Sequence, residues 1–388
     1  MSSFFRDSLI TAKYWDLKDK ALVSAGEAGI LGILLRDKSA TQADLTNALT
    51  FSQQSVSRML SALDNKGMIK KSSLKNTGAR GQPSATFSLN SHYAYSVGIS
   101  LKADGLCLVL SDFSGETLDT LVPIVSDMGR NKIVTSVKES IDILLANNGV
   151  DKTNLFGVGL STSGFHTGIN EASYNTPESL QDFALINLEE LFGKELGLPV
   201  WSENDGNAAT IAENYCGVGN QVQSFAYFYF ATGLGGGVVA NGKLFRGVNG
   251  NAGEFRAILP IDDMPPPTME NLRLHLNSLG SHFNSVEALV DNYDDHLEGV
   301  GSWIKEVLPS LSLMVSATAA VLDTELLVFG GVVPGKLKTR MITQLQFFDI
   351  NRRGIRRKTA EVVASEVKGD AAAIGASFLP FINKFYYS

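Results

Sequence analysis

Ser202-Glu203-Asn204-Asp205-Gly206-Asn207 follows a short apolar run, Val200-Trp201, and opens a segment with helical spacing. A carboxylate there stands at a strand end, where α/β folds build their sites. Two downstream stretches share this character. Ala231-Thr232-Gly233-Leu234-Gly235-Gly236-Gly237 reads as a loop whose backbone N–H groups can cradle an anion. Arg246-Gly247-Val248-Asn249-Gly250-Asn251-Ala252-Gly253-Glu254 reads as a flexible loop ending in a carboxylate. Each alone is weak, because glycine runs are more often tight turns and an Asp after an Asn is more often a helix cap. Neither the dinucleotide fingerprint nor the P-loop is satisfied. Order and spacing give the three their weight.

Around them strands and helices alternate. Val97–Leu101 and Leu106–Ser111 flank Asp104-Gly105, a hairpin signal. Asn131–Ala146 is a helix, and Leu155–Leu160 and Ser224–Ala231 are strands. Asn241-Gly242 marks a type I′ turn. Ser302–Leu322 is a long helix, Leu326–Phe329 a strand and Asp370–Pro380 a last helix. No repeat of about 20–50 residues is visible, which argues against a solenoid.

The first 90 residues follow a different grammar. Ala28–Arg36 is a helix, and Thr41-Gln42-Ala43-Asp44 is a capping box for a second. Ser52 caps a third, in which Val56, Met59, Leu60 and Leu63 form one apolar stripe. Its outer face carries Gln53, Gln54, Ser57, Arg58 and Ser61, side chains of the kind that read base edges and phosphates, and Ser52 joins them as a candidate DNA contact. Two strands, Met68–Ser72 and Ala85–Leu89, flank a basic loop, with Lys71, Arg80 and Gln82 in this hairpin. The pattern predicts a winged helix-turn-helix, with Arg80 placed for the minor groove. The competing reading is a small protein-interaction domain with a solvated polar face.

Charge divides at the same place. Residues 1–90 carry 12 Lys+Arg and 7 Asp+Glu, a net +5, whereas the rest is −12 within a total of −7. A basic head on an acidic body points to two tasks. With 44% hydrophobic and 19% charged residues the chain is neither disordered nor fibrous. Cys107 and Cys216 build neither a disulfide framework nor a four-cysteine zinc site. No secretory segment and no bilayer-length apolar run is visible, so a cytoplasmic location and no membrane partner are expected.

The chain resembles the ROK family of repressors, open reading frames and sugar kinases. The motifs are Glu203–Ala209 (ENDGNAA), Ala231–Val238 (ATGLGGGV), Asn241–Glu254 (NGKLFRGVNGNAGE), Phe329–Val332 (FGGV) and Gly369–Ser377 (GDAAAIGAS). The resemblance implies an α/β two-lobed actin-like ATPase (ribonuclease H-like) body with an N-terminal winged helix-turn-helix domain. The domains would be 1–90 and 91–388, the latter as lobes of about 91–202 plus the C-terminal helix, and 203–370. It implies a sugar held by Ser163, Gly164, Asn204, Asp205, Asn249 and Glu254. It leaves Thr232, Gly233, Gly235 and Gly236 as a vestigial phosphate loop, and Asp205 as the base in a kinase relative.

Two departures set this chain apart. Kinase relatives open the body with Asp-x-Gly-Gly-Thr; here Ser100 stands at the Asp position and Lys102 and Ala103 at the glycines. Side chains there obstruct close approach of phosphates, and phosphoryl transfer depends on positioning. Lys102 itself reads as a solvated surface lysine, with anion binding as the alternative. The zinc motif is missing as well: Ala257 takes the His position and no cysteine follows Cys216. Pro265-Pro266-Pro267 replaces the zinc loop and precedes a helix at Thr268–Asn277. The expectation is a sugar-responsive DNA-binding regulator, a repressor of carbohydrate-utilisation genes. Neither catalytic residues, nor metal, nor cofactor are expected. Its partners are a double-stranded DNA operator, a sugar effector and further copies of itself, as a homodimer or homotetramer. The alternatives are an active ATP-dependent sugar kinase with an appended head, and a scaffold whose head contacts protein.

Overall fold

The computed structural model describes residues 22–72, 85–125, 127–168, 172–260, 263–348, 353–355 and 357–386. Helix α1 (Ala25–Asp37) starts three residues before the apolar pattern does. The cause is a reciprocal cap, in which Ser24 Oγ accepts from the Glu27 N–H and the Glu27 carboxylate accepts from the Ser24 N–H. Strand β1 (Ala40–Thr41) leads into α2 (Gln42–Ala48), capped by the Thr41–Asp44 box as the sequence predicts. Helix α3 (Gln53–Asn65) is capped by Ser52 and buries Val56, Leu60 and Leu63. Ser52, Gln53, Gln54, Ser57 and Arg58 are exposed along it. Strands β2 (Ile69–Lys71) and β3 (Thr86–Leu89) pair antiparallel, and the small sheet runs β1-β3-β2. Lys71 is exposed on β2, its ammonium 6.0 Å from the Phe87 ring centre. The loop carrying Arg80 and Gln82 lies outside the described residues.

The body is built twice on one plan. In chain order it continues with β4 (Tyr95–Lys102), β5 (Gly105–Asp112), β6 (Thr117–Leu121), α4 (Arg130–Asn147) and β7 (Leu155–Thr162). Then come β8 (Phe165–His166), β9 (Tyr174–Asn175), α5 (Leu188–Leu196), β10 (Val200–Asn204) and α6 (Asp205–Cys216). The first sheet has the order β6-β5-β4-β7-β10. The second half comprises β11 (Phe225–Phe230), β12 (Leu234–Ala240), β13 (Lys243–Leu244), α7 (Met269–Ser278), α8 (Val286–Asp291) and α9 (Val300–Leu322). It ends with β14 (Leu326–Gly331), α10 (Gly335–Gln344), β15 (Glu361–Ala364) and α11 (Ala371–Lys384). Its sheet, β13-β12-β11-β14-β15, repeats the order of the first: an antiparallel meander, then two parallel strands.

Each sheet borrows its cover from the other half. Helix α6 leaves the first sheet but packs on β11 and β12 of the second, whereas α11 leaves the second and lies on β4, β5 and β7 of the first. Both sheets make room by lacking side chains. A Cβ on Gly98 or Gly159 would collide with the backbone of Ala373 or Ala376 in α11, and one on Gly237 would meet the Thr210 side chain in α6. The two helices touch each other where Gly375 faces the Ala208 carbonyl, and Tyr215 stacks on Phe378 with ring centres 5.2 Å apart. Pro380 does not end α11, as the sequence suggests; the helix runs to Lys384 because Phe381 and Phe385 are wholly buried beyond it. Helix α9 is long and apolar enough to cross a membrane by length and composition alone. In the fold it is a core helix: Trp303, Val307, Leu311 and Met314 are no more than 1% exposed.

Candidate functional site

The three stretches that open the sequence reading meet where the two halves of the body adjoin: Gly206 packs on Gly236, and Gly253 on Gly236 and Gly237. Asp205 is the first residue of α6, delivered there by β10. Its Oδ2 accepts a 2.8 Å bond from Ser163 Oγ, beyond β7, and its Oδ1 accepts from the Gly206 N–H at 2.8 Å. Burial outweighs these two bonds and pushes its pKa up to about 6, with the Asp370 charge adding to the rise. Glu254 is also raised, first by burial and then by the charge of Asp205. The site therefore holds two recessed carboxylates that oppose each other's ionisation and present acceptor oxygens to hydroxyl donors.

Asn204 is tied into the protein at both ends of its amide. Its Oδ1 caps α6 by accepting from the Asn207 N–H at 3.1 Å, and its Nδ2 donates to the Gly164 carbonyl at 2.8 Å. These bonds tether the Ser163-Gly164 loop and use one of the two Nδ2 donors and one of the two Oδ1 lone pairs. Gly164 needs its lack of a side chain: φ is +116°, and a Cβ would run into the Asn175 carbonyl. Replacing Asn204 by Ala should cost about 1 kcal/mol of stability as a lost cap. A urea melt with an unchanged midpoint would contradict that assignment.

Further ties surround the pair, and no local pattern announces them. Arg246 Nε donates to Glu203 Oε2 at 2.7 Å, joining the glycine-rich loop to β10. Glu203 Oε1 accepts from Asn207 Nδ2 at 3.1 Å. Asn251 grips the His166 backbone with both amide atoms, accepting at 2.8 Å and donating at 2.9 Å. Asn249, two residues earlier, is exposed.

Two readings of single residues are corrected. Lys102 is no free surface lysine. Its Nζ lies 3.2 Å from Asp370 Oδ2, and Asp370 Oδ1 caps α11 through the Ala373 N–H. Lys102 ends β4 and leads into the turn Ala103-Asp104, at the place where the resemblance puts a phosphate loop. Ser100 beside it is 1% exposed and its hydroxyl has no partner. The second correction concerns the glycine run. Only Ala231–Gly233 form a turn; Gly235, Gly236 and Gly237 belong to β12. Gly236 packs against Gly206 and Phe255, while Gly233 faces open space and Gly235 looks toward Asp205. Thr232 and Gly233 are exposed. Among the described residues no three His, Cys, Asp or Glu side chains gather as a metal site.

A doubled five-stranded sheet with a two-carboxylate cleft defines a protein with a sugar-kinase-type, actin-like body. The model of the ROK family matches residues 98–265 of the chain. It is 26% identical to the uncharacterised protein y4fQ of Sinorhizobium fredii, covering 94% of this chain and 92% of that one. It is 32% identical to a glucokinase of Halalkalibacterium halodurans over 176 residues, 44% of this chain and 52% of the kinase. It is 24% identical to a xylose repressor of Bacillus subtilis, over 62% of each. The match to the glucokinase thus spans about half of that enzyme's length. Among solved structures, a ROK family transcriptional regulator homologous to the E. coli MLC protein superposes with a TM-score of 0.69 at 17% identity, covering 92% of this chain and 95% of that one. A ROK family glucokinase from Streptomyces griseus, in complex with glucose and AMPPNP, gives 0.57 at 21% identity over 74% and 99%.

Proposed function

We propose that the protein is a sugar-responsive transcriptional regulator, a repressor of carbohydrate-utilisation genes, whose body binds a sugar without phosphorylating it. One observation carries the reading: a unit of three helices and a three-stranded antiparallel sheet precedes the cleft in the same chain, with the polar face of α3 exposed. This arrangement fits a winged helix-turn-helix with α3 as the recognition helix. Similarity to xylose repressors, and to a regulator over nearly the whole chain, supports it. In this reading Ser163, Gly164, Asp205 and Glu254 face the sugar, while Asn204 and Arg246 hold the loops in place. The protein acts in the cytosol as a homodimer or homotetramer on paired half-sites.

Arg58 supplies the test. Against double-stranded DNA selected from a random pool, Arg58→Ala should weaken binding by about 10-fold or more. It should also lower the slope of log affinity against log salt by roughly one. Equal affinities of wild type and variant by fluorescence anisotropy would remove α3 from the interface. No selectable DNA at physiological salt would end the regulator reading.

A second reading, an active sugar kinase, is favoured by Asp205, whose pKa of about 6 suits a general base near neutral pH. Against it stand Lys102 and Ala103 at the first turn, with the lysine ion-paired to Asp370. A coupled ATP assay over glucose, xylose and other sugars decides. Turnover abolished by Asp205→Asn would replace the first reading by the second.

A further inference from the structure

The two helices that meet between the lobes both start at the cleft and both end under the N-terminal unit. Helix α6 begins with Asp205 and leads through Cys216 to the turn Val218–Gln221. Helix α11 begins beside Asp370, the partner of Lys102, and ends in Phe381, Phe385 and Tyr386. These last rings share one apolar core with Leu31, Leu34 and Leu35 of α1. At 1.5 Å per residue each helix is a rod of roughly 20 Å.

The end of α1 is tied to both halves at once. Lys38 Nζ pairs with Glu116 Oε1 at 3.3 Å, in the β5–β6 turn of the first lobe. Two residues earlier, the Arg36 carbonyl accepts from Asn220 Nδ2 at 3.3 Å, in the turn that enters the second lobe. Two signs of strain lie at this junction. Lys38 has a φ of +62°, a left-handed backbone that non-glycine residues avoid at a cost of order 1–3 kcal/mol. The Asn220 Oδ1 is buried with no hydrogen-bond partner, which is costly in itself.

We propose that the segment Arg36–Lys38 is the coupling joint between cleft and head: closure of the lobes on a ligand changes the angle between α6 and α11, and α1 must then release either Asn220 or Glu116. The strained Lys38 and the unsatisfied Asn220 mark the present arrangement as one of two, the other being relaxed at these atoms. A two-state element biased from a distant site is what coupling requires. This inference rests on the sugar reading of the cleft.

Hydrogen exchange of the full chain tests it, with D-glucose and D-xylose at saturating concentration as probes. Binding is read at residues 246–254 and coupling at residues 33–37. Wild type should show sugar protection at 246–254 together with a change in exchange at 33–37 on the order of five-fold or more. The double variant Glu116→Ala/Asn220→Ala should keep the first signal and lose the second. Lys38→Gly, which relieves the backbone and removes the ion pair, should do the same and serves should the double variant fail to fold. Protection of 246–254 in wild type without any change at 33–37 overturns the joint. So does a change at 33–37 that persists in the variants. Absence of protection at 246–254 with every sugar tried overturns the sugar reading instead, and the joint with it.

Discussion

Asp205→Asn should raise the melting temperature of the free protein and, on the proposed sugar reading of the site, abolish ligand binding. The two effects have one origin. Burial lifts the Asp205 pKa from 3.8 to about 6, so the folded state holds this proton more tightly than the unfolded chain does. The stability that follows is fully present below about pH 4 and is lost as the pH rises through about 6. Above that, the ionised carboxylate destabilises the fold by an amount of order 1–3 kcal/mol. An amide carries no such charge. Its oxygen can keep the Gly206 N–H, while its NH₂ donates to Ser163 Oγ, whose hydroxyl accepts as readily as it donates. The variant should therefore show a flatter stability profile between pH 4 and 6. For the ligand the charge is the point. A carboxylate accepting two hydroxyls loses roughly 3–4 kcal/mol of interaction when neutralised, a fall of about 100-fold or more in affinity. Thermal shift against pH, with and without sugar, reads both signs. A melting temperature that falls at pH 8 contradicts the burial account. Sugar affinity within a few-fold of wild type removes Asp205 from the site.

The second large effect is expected at Gly375. Its missing side chain lets α11 rest on the Ala208 carbonyl of α6, and a valine there would drive the helices apart. Because both helices also lie on sheets through glycine contacts, neither can retreat. Overpacking in cores commonly costs about 1–3 kcal/mol and more where the backbone cannot move. Gly375→Val should therefore destabilise by at least about 3 kcal/mol, enough to leave a marginal fold partly unfolded. A circular-dichroism melt within a few degrees of wild type would show that the crossing tolerates separation.

Much of this was legible in the residues. The capping box at Thr41–Asp44 and the N-cap at Ser52 located two helices, and the stripe through Val56, Leu60 and Leu63 set which face of α3 is exposed. The hairpin at Asp104-Gly105 and the turn at Asn241-Gly242 followed from local chemistry. Local chemistry also explains the omissions. β6 and β15 are edge strands with mixed composition, so no apolar run announces them. Lys102 lies 268 positions from Asp370, and no pattern within a strand reveals an ion pair closed by the fold. Nor does the motif around Asn204 announce that its amide also caps α6 and tethers the Gly164 carbonyl.

The exchange of cover helices has a consequence for the order in which the protein is made. β4 and β5 are translated early, but the helix that lies on them is encoded about 260 residues later, a delay of roughly 10–50 s at common elongation rates. Until α11 emerges, the first sheet has one bare face and α1 lacks part of its bed of aromatic rings. A stalled or truncated chain would thus carry a head with an exposed apolar underside. Such a product is a substrate for chaperones and proteases.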